Sequence, residues 1–130
     1  MIIKKNQERL TGVVSLPLSK SEANRGLVLS ALSNGGCQLL GRSDANDSLL
    51  LEKLLARRDG VLDCEDAGTT LRFLCAYCSI RDGEWILTGT ERMQQRPIGH
   101  LVDALRQIGA EIEYLENPGY PPLRIRGKPL

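Results

Sequence analysis

The sequence reads as an α/β (α+β) fold built from repeated βαβαβ-type folding units, with helices packed on small sheets. Three observations lead there. Apolar residues alternate between period two in short runs and a 3.6-residue period in longer ones. Turn residues separate those runs, as at Asn34-Gly35-Gly36, Asp82-Gly83 and Gly109. A shift of 47 residues also lays Val14 on Val61, Ser21 on Gly68, Arg25 on Arg72 and Leu27 on Leu74. One residue more lays Gly41 on Gly89. A repeat of about fifty residues marks stacked supersecondary units.

In chain order, Thr11–Leu16 reads as a first strand, stopped by Pro17. A helix is expected from Lys20 to Ser33, with Ser19 or Ser21 as N-cap and Asn34-Gly35-Gly36 as its stop. Gln38–Leu40 reads as a short strand. Asp47–Ala56 reads as a helix with Leu50, Leu51, Leu54 and Leu55 on one face. A strand at Val61–Asp63, a helix at Thr69–Ile80 and a strand at Glu84–Thr88 follow. Pro97 is expected at N1 of a helix running to about Ile108. Glu111–Tyr114 and Leu123–Arg126 read as strands joined by the turn-rich ENPGYPP.

The totals bound the function classes. With 130 residues, one domain with a modest core is expected. A formal net charge of +1 gives no global argument for nucleic acid or an anionic membrane. No apolar run is long enough for a membrane-spanning helix, and MIIKKNQERL lacks a signal-peptide core, so a cytoplasmic protein is expected. Cys75 and Cys78 form a CxxC inside the apolar helical segment FLCAYCSI. Buried helix thiols are the expectation there, since a redox pair or zinc half-site would want a second CxxC or a nearby His. No nucleophile triad, metal-ligand cluster, P-loop or dinucleotide fingerprint is present.

The unusual feature is positive charge at helix starts, where the helix dipole disfavours it. Lys20 and Arg25 lie in SKSEANR, Arg72 in DAGTTLR, and Arg96 directly before Pro97. Any one of these is ordinarily a solvated surface cation. Three helix starts with the same anomaly point to a site completed by an anion, with backbone amides, Thr69 and Thr70 as further donors. Gly68 leaves room for a ligand against the backbone. The residues alone indicate a phosphate- or carboxylate-binding protein and name no reaction.

LPLSKSEANRGLVLSAL resembles the LPGSKS-x-x-NR signature of the 5-enolpyruvylshikimate-3-phosphate synthase family. EDAGTTLRFL looks like its N-A-G-T-[AT]-x-R signature, and RMQQRPIGHLVDAL is similar to its R-M-x-x-R-P block. The three blocks are ordered and spaced as in that family. The resemblance implies a transferase of aromatic amino-acid biosynthesis that moves the enolpyruvyl group of phosphoenolpyruvate onto the 5-hydroxyl of shikimate 3-phosphate. It implies no metal or organic cofactor and a monomer. By matching positions, Lys20 would contact both substrates and is the matched residue able to shuttle a proton. Ser21 and Arg25 would hold shikimate 3-phosphate, and Gly68 and Arg96 phosphoenolpyruvate. Asp66, Thr69 and Arg72 would line the same region.

Leu18 stands where the signature has Gly, and Asp66 where it has Asn. An acid there would repel phosphoenolpyruvate unless paired with Arg72 or Lys20 or turned away. The family is also longer, with two lobes of three similar units each. The resemblance covers residues 1–16 as the strand that crosses to the other lobe and residues 17–130 as about two units of the N-terminal lobe. The C-terminal lobe, with the carboxylates for proton transfer, would be absent, so the chain alone is expected to lack turnover. Two rival readings are a non-catalytic anion-binding unit and a UDP-N-acetylglucosamine enolpyruvyl transferase relative. The latter carries Lys-Asn where this chain has Lys20-Ser21.

Overall fold

A computed structural model describes residues 12–34 and 36–129. Its first helix, α1, covers Lys20–Leu32, and α2 covers Asn46–Leu55. A βαβ unit follows: β1 (Gly60–Asp63), α3 (Gly68–Ser79) and β2 (Gly83–Thr88). A short helix α4 (Glu91–Gln94) and α5 (Gly99–Gln107) lead into the hairpin of β3 (Glu111–Tyr114) and β4 (Leu123–Gly127).

The four strands form one sheet in the order β1-β2-β4-β3. β1 runs parallel to β2, as its helical crossover requires, and the other two pairs are antiparallel. Alternation sorts the two faces. Leu62, Trp85, Leu87, Ile112, Leu123 and Ile125 point into the core. Charged residues occupy the other face, where Glu84 pairs with Arg126, Glu113 with Arg124 and Glu111 with Lys128. α3 lies on β2 and β4, and α5 on α3 and β3. α2 packs on α3, and α1 on both.

α1, α2, α3, α5 and the four strands from residue 60 onward follow the sequence reading to within about two residues, with β3 at the expected bounds, whereas α4 was not expected. Three expectations need correction. Residues 12–19 and 38–40 form no strand; Thr11 lies outside the described residues. Their apolar residues have no neighbouring strand among the described residues, and Val13, Val14, Leu16 and Leu40 stand at least 80% exposed. An isolated strand cannot offset its ordering entropy without a ladder to join. Among the described residues the first half of the repeat therefore retains its helices without its sheet. The third correction concerns Pro97, which precedes α5 by two residues rather than opening it, because Ile98 takes the N-cap position. The stop of α1 is made by Asn34, which adopts the left-handed conformation (φ 50°). Gly35, expected to share that role, lies outside the described residues.

Candidate functional site

The starts of α1, α2 and α3 meet. Lys20, the first residue of α1, places Nζ 3.0 Å from Asp47 Oδ2, in the first turn of α2. Thr70 Oγ1, in the first turn of α3, donates to the backbone oxygen of the same Asp47 at 3.3 Å. Asp47 thus joins all three helix starts. It also answers the charge anomaly at Lys20 within the chain itself. Nothing in the spacing of the sequence announced this pair, which spans 27 residues.

The other α1 candidates lie on the same exposed end. Ser19 caps the helix by accepting from Glu22 N–H at 3.4 Å. Arg25 Nη1 donates to the Ser21 carbonyl at 3.0 Å. In α3 the equivalent bond recurs: Arg72 Nη1 donates to the Gly68 carbonyl, also at 3.0 Å. The 47-residue repeat is therefore present in side-chain geometry as well as in sequence. Arg72 reaches further, with Nη2 donating to the Pro97 carbonyl at 2.8 Å.

That bond draws in Arg96. A Cβ placed on Gly68 would lie 2.6 Å from Arg96 Nη1 and 2.8 Å from its Cζ. The guanidinium rests on the bare backbone of α3, in space only glycine leaves open. Arg96 was expected at the start of α5; it sits instead at the start of α3, carried there by the loop after α4. Among the described residues no side chain caps α3, and its first turn contains no acid. Gly68 N–H donates to Asp66 O and Leu71 N–H to Ala67 O, while Thr69 and Thr70 N–H have no backbone acceptor among the described residues. An uncapped helix start with a guanidinium beside it is a competent seat for phosphate or carboxylate.

Asp66 pairs with neither Lys20 nor Arg72. Its Oδ1 accepts from Thr90 Oγ1 at 2.6 Å, so the strand–helix turn before α3 is tied to the start of α4. Thr69 is exposed at the mouth of the site. Leu18 lies against Gly41, which takes a left-handed φ of 98°; the extra side chain packs on that loop. A recess of about 190 Å³ beside the site is lined by Asp47, Glu65 and Asp66 with Asn46, Leu50 and Ala67. Its acidic wall makes it a neighbour of the anion seat and not the seat itself. Glu65 in this turn holds a left-handed φ of 48°, a conformation rare for residues other than glycine, asparagine and aspartate.

Behind the site, Asn24 is 1% exposed and accepts from Ser48 Oγ at 2.6 Å, locking α1 to α2. The sequence reading missed this pair, as it missed Asp47 and Thr90. A polar residue inside an apolar helical run, Asn24 before Leu27 and Val28, was the available signal. Cys75 and Cys78 are buried free thiols in α3. Burial pushes Cys75 up to about 12 and Cys78 higher still, so both stay neutral near pH 7 and serve as core.

A family model described as EPSP synthase (3-phosphoshikimate 1-carboxyvinyltransferase) matches residues 47–130. This chain belongs to the EPSP synthase family. A 3-phosphoshikimate 1-carboxyvinyltransferase of Bacteroides fragilis is 49% identical over 122 residues, covering 94% of this chain and 30% of the relative. One from Colwellia psychrerythraea is 42% identical over 148 residues, covering 94% of this chain and 35% of the relative. The EPSP synthase structure from Acinetobacter baumannii superposes with a TM-score of 0.74 at 20% identity, covering 89% of this chain and 32% of that one. The fold is therefore that of an EPSP synthase segment, and the chain spans about a third of the length of these family members.

Proposed function

We propose that these residues form part of the substrate site of an enzyme that transfers the enolpyruvyl group of phosphoenolpyruvate to the 5-hydroxyl of shikimate 3-phosphate, releasing phosphate. The observation that carries this reading is the Arg96 guanidinium lying on Gly68 at the uncapped start of α3, inside a chain of this family. Both substrates are anions, and a preorganised cation beside free helix amides stabilises charge without reorganising. In this reading Gly68 and Arg96 hold phosphoenolpyruvate, with Thr69 and Arg72 lining its seat. Lys20, Ser21 and Arg25 hold shikimate 3-phosphate.

Lys20 exchanges its contact with Asp47 for substrate when the site fills, and it is the residue here able to carry a proton. Asp66, held by Thr90, keeps the turn in shape. Turnover requires residues beyond these 130, because the relatives that carry the reaction's name are about three times as long. In this reading the full-length enzyme is a cytoplasmic monomer that needs no metal or organic cofactor.

An amide NMR titration tests the reading. Phosphoenolpyruvate is expected to shift residues 68–72 and 96 saturably, and shikimate 3-phosphate residues 20–25. Gly68→Ala, whose methyl displaces the Arg96 guanidinium, is expected to weaken the first response by about tenfold or more. A folded chain that responds to neither compound would sink the proposal. Phosphate release by this chain alone from both substrates would refute the need for further residues.

A further inference from the structure

At the other end of the helices, away from their starts, α2 and α3 finish beside one recess of about 300 Å³. Arg57 and Arg58 follow the end of α2, and Arg81 follows the end of α3. All three line the recess, together with Tyr77, Asp82 and Trp85. A cation after a helix C-terminus is favoured by the dipole and needs no further explanation. The dipole does not explain why two helix ends place three arginines around one recess with a single carboxylate among them. No ion pair among the described residues includes any of the three. Like charges gathered without counter-ions raise the free energy of the empty recess.

Two further features make it a shaped place. Arg81 is held, its guanidinium 5.6 Å from the Tyr77 ring centroid and Nη1 donating to Asn34 Oδ1 at 3.2 Å. Trp85 is 3% exposed, and its indole Nε1–H has no hydrogen-bond partner among the described residues. A buried donor left without an acceptor is uncommon. Trp85 lines the recess with its indole N–H enclosed behind the wall, so the recess itself presents the three arginines.

We infer that this recess is a second anion site, distinct from the substrate seat at the helix starts, that takes a phosphate group through Arg57, Arg58 and Arg81, with Trp85 in its wall as a reporter. Guanidinium forks suit the oxygens of a tetrahedral oxyanion, and the volume admits a phosphate monoester of a small metabolite. Occupancy would tie the end of α2 to the end of α3, two elements that also build the substrate seat.

Trp85 is the one tryptophan of the chain, so its indole N–H resonance is an unambiguous reporter. The experiment is a titration of the intact chain with inorganic phosphate, against sodium chloride at matched ionic strength. A saturable indole shift with phosphate and none with chloride is expected. The double variant Arg57→Gln, Arg81→Gln is expected to weaken the apparent affinity by about tenfold or more. Arg58→Gln serves the same purpose should the double variant unfold. A shift that fails to saturate, that chloride reproduces, or that survives loss of the arginines would overturn the assignment. None of these outcomes depends on whether the substrate seat binds its ligands.

Discussion

The helices α1 and α3 occupy equivalent places in the repeat and begin in opposite states. The start of α1 is closed on itself: Ser19 caps it, Glu22 lies in its first turn, and Lys20 is paired with Asp47. The start of α3 is open, with no cap, no acid in the first turn, and Arg96 laid against Gly68. Their bodies differ in the same sense. α3 buries eight residues between the sheet and the neighbouring helices, whereas among the described residues α1 buries Asn24 alone. One shift of 47 residues sets Asn24 on Leu71, so one buried place in the unit is filled by hydrocarbon in one copy and by an amide in the other. A helix fixed by a sheet can leave its charged end unfinished for a ligand. A helix resting on two others satisfies itself first.

The largest test of this contrast is alkali. Burial, with repulsion from Asp63 and Cys75, pushes the Cys64 thiol up to about 12, and burial alone does the same to Cys75. In the unfolded chain these thiols ionise near their ordinary 9.0. The folded-state values are raised, so this stability is complete below about pH 9 and is lost as pH rises towards 12. The urea midpoint is expected to fall steeply across that window, and less steeply in Cys75→Ala, with the α3 amides losing exchange protection as the sheet unit opens. A midpoint indifferent to pH up to 11 would mean that the thiols are not held as described.

Substitution at the paired core positions comes next. Leu71→Ala is expected to cost about 2–5 kcal/mol in urea unfolding, as for any fully buried leucine. Asn24→Ala leaves the Ser48 hydroxyl without its acceptor and is expected to cost about 1–3 kcal/mol. If Asn24→Ala proved the worse of the two, the ranking of the two copies would be reversed. The smallest effect is expected from Asp47→Asn. The Lys20–Asp47 pair is about half exposed at the lysine and a third at the aspartate, so its loss should change stability by no more than about 1 kcal/mol. The same substitution frees Lys20 and should strengthen the response of residues 20–25 to shikimate 3-phosphate, which an NMR titration reads directly.

Legibility in the sequence followed the same division. From Gly60 onward, periodicity and turn residues located every strand, because each found a ladder partner and a buried face. Before that, the apolar alternation of residues 12–16 indicates what a strand would need and not what it obtains; a partner strand is a tertiary fact that no local pattern contains. The candidate site divided similarly. Cations at helix starts were visible as a violation of dipole preference, which pointed to Lys20, Arg25, Arg72 and Arg96. Their counterparts were not visible, because Asp47 and Thr90 read as ordinary helix-start residues until the fold brings them to Lys20 and Asp66. The short helix α4 had a signal that was passed over: Thr90 followed by Glu91 is an N-cap with an acid in the first turn.

The strand order β1-β2-β4-β3 has a consequence for synthesis. Of these four strands β4 is made last and is an inner strand of the sheet, and among the described residues β3 pairs with nothing else. Until residues 123–127 emerge, β3 has no partner and β2 presents an open edge, so the nascent chain waits with its helices ahead of its sheet. Folding of this sheet is then a single event, timed by translation of β4.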